Sequence, residues 1–180
     1  VALHRRRSIK AWRAAAWCNM VQIMPEELSP GDDFDDPIGV ERPLFVYGTL
    51  RCTGSNDIRR FGPHSRLLGP ARVRGQLHDL GPYPGLVLGG AQWVWGELHA
   101  IGPALEPALD ALEEVWPQCS GEYRRRHARV CWCPEGGGAP RELSALLYEM
   151  DPLRARAWPL IPSGDWLSHG VRLRRVPGDC

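Results

Sequence analysis

The residues in this chain best suited to chemistry are three carboxylates at the end of a helical pattern and a glycine turn after an apolar strand. Asp110, Glu113 and Glu114 lie among Leu105, Ala108, Leu109 and Leu112, whose i, i+3, i+4, i+7 spacing marks one face of a helix. At roughly 100° per residue, Glu114 projects away from that face, Asp110 stands well off it, and Glu113 lies at its margin. A carboxylate at such a margin can reach a cavity while partly shielded from water. Burial there raises its pKa toward neutrality, as a general base acting on an amine requires. The same position suits a border carboxylate paired with an arginine, and spacing alone does not choose between the two.

The turn belongs to Pro43-Leu44-Phe45-Val46-Tyr47-Gly48-Thr49-Leu50-Arg51. Leu44 to Tyr47 is a short apolar run rich in β-formers, with proline before it and glycine after it, so it reads as a buried strand entering a tight turn. Gly48 permits a positive φ and a close approach by a ligand. Successive N–H groups of Gly48, Thr49 and Leu50 can point into one concavity and hold an anionic oxygen. An ordinary loop after a core strand is the alternative. Tyr47, Tyr83, Tyr123 and Tyr148 lie near these segments, either as pocket phenols or as core residues with bonded hydroxyls.

Most of the chain serves to position these groups. Residues 1–24 carry Arg5, Arg6, Arg7, Lys10 and Arg13 and no acid, whereas 25–41 carry seven acids and no base. Residues 1–41 are therefore expected to be a poorly ordered basic, then acidic, extension, and 42–180 the folded domain. Residues 51–70 read as loop with a short helix near Asp57–Phe61. Strands are expected over Val73–Leu80, Leu86–Leu88 and Val94–Ile101, separated by the turns Gly81–Gly85 and Gly89-Gly90. Gly96 suggests a bulge or the close approach of another backbone. Pro103–Val115 is the one expected helix, with Pro103 in its first turn. Strands Tyr123–Cys133 and Leu143–Met150 follow, then an irregular tail broken by Pro152, Pro159 and Pro162. Short strands around a single helix make an α+β domain with a small mixed β-barrel.

Several function classes are disfavoured. The net charge of +1 exerts no global pull toward nucleic acid. The run Arg124–Arg129 alternates between strand faces and forms no continuous stripe. Residues 1–24 are interrupted by Arg13, Asn19 and Gln22, so no membrane span is expected. Cys131 and Cys133 share a strand face without further ligands at zinc spacing, and the remaining cysteines show no disulfide framework. The expectation is a reduced cytoplasmic protein without metal or cofactor, a monomer or weak dimer, its tryptophans in the core and at a pocket rim.

Tyr47-Gly48-Thr49-Leu50-Arg51 after an apolar strand resembles the opening signature of the gamma-glutamylcyclotransferase-like superfamily. Leu80 to Val87, Val94 to Ala100, Leu109 to Glu114 with Tyr123 and Arg125, and Ile161 to Trp166 are similar to its later motifs, in order. The likeness spans about 42–170 and is nearest to the gamma-glutamylamine cyclotransferase branch and its bacterial cousins. It implies a small-molecule gamma-glutamyl amide as substrate and cyclisation to 5-oxoproline with release of an amine, with no cofactor. It places the catalytic glutamate of the family's Leu-Asp-x-Phe-Glu pattern on Glu113, with Leu112 in place of the usual aromatic. Tyr47, Gly48, Thr49, Leu50, Tyr83, Tyr123, Arg125 and Tyr148 would line the pocket. Arg125 suits either a substrate carboxylate or an ion pair with a helix acid. A non-catalytic small-molecule-binding module on the same fold is the competing reading.

Overall fold

The first apolar run becomes β1 (Arg42–Val46), and its unbroken hydrophobicity has a simple cause: both of its faces are buried. Phe45 and Tyr47 join one apolar cluster while Leu44 and Val46 join another, as the two-residue period of a strand dictates. This computed structural model describes residues 41–61, 65–115, 117, 119–136 and 138–173. Apart from Glu41, the extension expected over 1–41 lies outside the described residues.

After β1 come a 3-10 turn (Ile58–Phe61), β2 (Ser65–Asp79), β3 (Pro84–Ile101), α1 (Glu106–Leu112), β4 (Tyr123–Trp132), β5 (Arg141–Met150), α2 (Pro152–Ala155) and α3 (Trp166–Leu173). The five strands close on themselves in the order β1-β3-β2-β4-β5. Every neighbouring pair is antiparallel except β1 and β5, which run parallel and meet at Leu44 and Leu146. One cluster draws residues from all five strands and fills this ring, including Phe45, Val73, Leu98, Val130 and Leu147. The other lies against the helical side and joins Val46, Leu146 and Met150 to Leu105 and Leu109.

The strands run longer than local patterning suggests. β2 begins at Ser65, within the stretch expected to be loop, because a register shift between Leu67 and Gly69 absorbs the Gly-Pro pair. The two strands expected within 86–101 are one strand, paired with β2 on both sides of Gly89-Gly90. Gly89-Gly90 does turn, but as an excursion: Arg74 faces Trp93 while the next residue, Gly75, faces Leu88.

The helix is shorter than expected. Residues 103–105 only turn, Pro107 rather than Pro103 occupies the first turn, and Glu114 ends the helix in a left-handed conformation at φ 51°. The tail, read as irregular, contains α2 and α3. Asp151 caps α2 by accepting from the N–H groups of Leu153 and Arg154. The tail is then fastened across the sheet, with the Ile161 N–H donating to the Leu77 carbonyl at 2.7 Å and the Trp95 N–H to the Gly164 carbonyl at 2.8 Å.

Gly96 marks a close approach of chains. A Cβ built there would lie 2.3 Å from the Val46 carbonyl oxygen and 2.6 Å from the Phe45 ring. Both neighbours are core groups with nowhere to move. Gly96→Ala is therefore expected to cost about 1–3 kcal/mol. In urea unfolding this appears as a lower midpoint with an unchanged slope.

Candidate active site

The turn after β1 forms one wall of a cavity of about 240 Å³. The cavity is lined by Phe45 to Leu50, Asn56, Tyr83, Pro84, Leu112 to Glu114, Glu122, Tyr123 and Tyr148. Gly48 is needed here for proximity. The positive φ that glycine permits is not used, but a Cβ on it would come within 2.7 Å of the Pro84 ring. The turn's carbonyls are occupied: that of Gly48 accepts from the Arg51 N–H, that of Thr49 from Asn56 and that of Leu50 from Ile58. Among the described residues, no acceptor takes the N–H groups of Gly48, Thr49 and Leu50.

What holds this turn is a buried ionic network. Arg51 Nη1 lies 2.8 Å from Asp165 Oδ1 and its Nε 3.4 Å from Glu97 Oε1. The Cys52 N–H donates to Glu97 Oε2 at 2.8 Å. The Val46–Glu97 register places that carboxylate beneath the strand end. Burial alone would raise the Glu97 pKa, but the His99 hydrogen bond, Arg51 and the Cys52 N–H outweigh it and hold the carboxylate below its usual range.

Across the cavity, Glu113 stands at the C-terminal end of α1, its own N–H bonded to the Leu109 carbonyl at 2.9 Å. The residue keeps some exposed surface, yet its carboxylate is desolvated. Burial first, and the Glu122 charge second, push it up to about 7. Among the described residues, no donor reaches it. Glu122 approaches from the loop before β4, with both carboxylate oxygens 3.4 Å from the Tyr83 hydroxyl that donates to them. Sequence reasoning missed Glu122, whose sole signal was an acid immediately before Tyr123.

The four tyrosines line the cavity, and three direct their hydroxyls at fixed acceptors. Tyr47 donates to the Tyr148 carbonyl at 2.7 Å, Tyr123 to the Pro84 carbonyl at 3.0 Å, and Tyr148 to Asp110 Oδ1 at 2.8 Å. Burial first raises all four phenols; neighbouring carboxylates come second for Tyr47, Tyr83 and Tyr148, and Tyr47 comes second for Tyr123. Asp110 is accordingly buried, although helix geometry had set it off the apolar face. Leu112, assigned to that face, is exposed at the cavity edge.

Arg125 does not line the cavity. It shares a strand face with Tyr123, but its guanidinium pairs with Glu106 and lies 3.5 Å from Asp110 Oδ2. The rest of the basic run is also paired: Arg124 with Asp151, Arg126 with Glu149 and Arg129 with Glu142. No tryptophan among the described residues lines the cavity. Trp132 is in the core, and Trp93 stacks against Arg72 and Arg74 at 4.0 and 3.7 Å. One group with metal-donor spacing exists among the described residues: Cys52, Glu97 and His99, their donor atoms within 4.8 Å of one another. Burial and Glu97 push the Cys52 thiol up to about 12, and Glu97 is already engaged by Arg51, so this group serves the ionic network. No helix among the described residues is long and apolar enough to cross a membrane.

Known proteins share this fold. The chain matches the family described as Gamma-glutamyl cyclotransferase, AIG2-like, over residues 44–168, and it belongs to that family. A Vibrio cholerae protein named "Putative gamma-glutamylcyclotransferase" is 38% identical over 125 residues, covering 68% of this chain and 93% of that one. Among solved structures, YkqA from Bacillus subtilis aligns with a TM-score of 0.56 at 24% identity over 76% of this chain. The aligned part is 44% of YkqA, so this chain spans less than half its length. An AIG2-like protein from Mus musculus aligns with a TM-score of 0.52 at 20% identity, covering 68% of this chain and 87% of that one. At these identities the structural likeness establishes a shared fold.

Two stability predictions follow from the charges. Removing Asp165 leaves the buried Arg51 guanidinium with Glu97 as its one carboxylate partner among the described residues, so Asp165→Ala is expected to cost about 3 kcal/mol in chemical denaturation. Glu113 has the opposite sign. Its raised pKa means that the native state retains a proton the unfolded chain gives up. Its ionisation therefore destabilises the fold as pH rises from the ordinary carboxylate range through about 7. Glu113→Gln should unfold at a higher temperature than wild type at pH 8, by about 1–3 kcal/mol, with the gain vanishing near pH 4.

Proposed function

We propose that the protein cyclises a gamma-glutamyl amide, releasing 5-oxoproline and a free amine, with Glu113 as general acid and base. The observation that carries this reading is a desolvated carboxylate that no donor reaches among the described residues, lining one cavity with a turn whose N–H groups find no described acceptor. Family membership supports it, and so does the name carried by the Vibrio cholerae relative.

The substrate carries its own nucleophile, so ring closure needs no second reactant, and holding it in a folded pose removes most of the entropic barrier. The α-ammonium must lose a proton, and a carboxylate with a pKa near 7 is matched to that task at neutral pH. The freed nitrogen attacks the γ-carbonyl carbon and forms the ring bond. Negative charge develops on the carbonyl oxygen, to which the N–H groups of Gly48, Thr49 and Leu50 are suited to donate without rearrangement. Breakage of the original amide bond follows as Glu113 returns a proton to the departing nitrogen. Tyr47, Tyr123 and Tyr148 remain neutral and shape the walls.

The test is 5-oxoproline release from a panel of gamma-glutamyl amides. Wild-type kcat/KM should rise with pH to a plateau, with an inflection near the Glu113 value of about 7. Glu113→Gln should lower kcat by about 10²-fold or more. Unchanged turnover in that variant would remove Glu113 from the mechanism.

A further inference from the structure

Three carboxylates, Glu113, Glu114 and Glu122, face the cavity, and no arginine, lysine or histidine is among the described residues lining it. The other titratable groups facing Glu113 are the phenols of Tyr47, Tyr83, Tyr123 and Tyr148, all held neutral. The nearby Arg125 is engaged by Glu106 and Asp110 on α1. Glu122 is firmly placed. Its N–H donates to Ser120 Oγ at 3.2 Å, its carbonyl accepts from the Asp151 N–H at 2.8 Å, and the Tyr83 hydroxyl spans its carboxylate. Glu113, by contrast, is desolvated, has no donor among the described residues and lines the same cavity, a site prepared for a cationic visitor.

The proton inventory of ring closure shows why two acids are useful. The attacking nitrogen enters as –NH₃⁺ and ends as a lactam N–H, so it sheds two protons. The departing nitrogen needs one proton to leave as a neutral amine and takes any further one from water. A single carboxylate carries one proton at a time.

Resting on the cyclising reading above, we propose that Glu122 is a second catalytic carboxylate: it binds the substrate α-ammonium and accepts one of the two protons this nitrogen loses, while Glu113 carries the other to the departing nitrogen. The first proton leaves the ammonium for Glu113, and the amine attacks the γ-carbonyl carbon. The nitrogen of the adduct then passes its second proton to Glu122. Glu113 protonates the departing nitrogen as the carbon–nitrogen bond breaks and the carbonyl re-forms. Glu122 finally returns its proton to solvent, which restores the site.

The experiment compares wild type, Glu122→Gln and Glu122→Asp in 5-oxoproline release across pH. Glu122→Gln retains a hydrogen-bonding partner for Tyr83. It should lower kcat by about 10- to 100-fold. Loss of a like charge should also move the rising limb of kcat/KM to lower pH. Glu122→Asp should recover part of the rate and return the limb toward its wild-type position. Wild-type kcat with an unmoved limb in Glu122→Gln would overturn the proposal, as would a rate loss with an unmoved limb, the mark of a purely structural role. Carbon-13 titration of the side-chain carboxyls decides the matter without turnover. A Glu113 curve that moves to lower pH in Glu122→Gln supports the pair. An unmoved Glu113 curve overturns it, even if no amide in the panel reacts. Absent turnover with a moved curve would count against the cyclising reading and leave the carboxylate pair standing.

Discussion

The Arg51 guanidinium, enclosed between Glu97 and Asp165, is the constraint on which the site depends. Arg51 belongs to the turn, Glu97 to the long strand paired with β1, and Asp165 to the tail. Charges so far from water are stable only when mutually satisfied, because each would otherwise forfeit its hydration. The turn therefore sits in the one position that satisfies all three, and the cavity's N–H wall is fixed with it. Three segments distant in sequence become a single rigid element.

Opposite that wall the electrostatic design is inverted. Arg51 is supplied with two carboxylates, whereas no cation among the described residues reaches Glu113. Helix acids occupy Arg125, and β5 and tail acids occupy Arg124, Arg126 and Arg129. The tyrosine hydroxyls nearest the cavity floor are spent on carbonyls and on Asp110. Satisfied groups build the frame, while the turn whose N–H groups find no acceptor among the described residues and the Glu113 carboxylate line the space between. Perturbed protonation at a concave, otherwise well-bonded site is the usual physical mark of function.

Local chemistry made some of this legible and concealed the rest. β1 was readable because a strand buried on both faces must be apolar throughout. Gly96 was readable because a glycine within a strand implies a crowded neighbour, which proved to be the Val46 carbonyl and the Phe45 ring. Glu113 was readable as the margin of the helical stripe. The full length of β3 was hidden because Gly89-Gly90 turns locally, and only pairing with β2 carries the strand across that turn. The helix end was misjudged because the left-handed turn fell on Glu114, a residue that rarely adopts it. Asp110 looked peripheral because its partner, the Tyr148 hydroxyl, comes from a distant strand.

By itself the sequence determined which residues are apolar at which period, where the chain must bend, and hence the α+β class and a short list of candidate acids. These are properties of neighbours along the chain, set by backbone sterics and by the periodicity of burial. Only the tertiary structure decided that Arg125 would serve the helix and stay out of the cavity wall, that Asp165 would secure the first turn, and that Glu122 would line the same cavity as Glu113. Each of those outcomes is a choice of partner among charges. Which charges meet is decided when the ring of strands closes, because only then is water removed from between them.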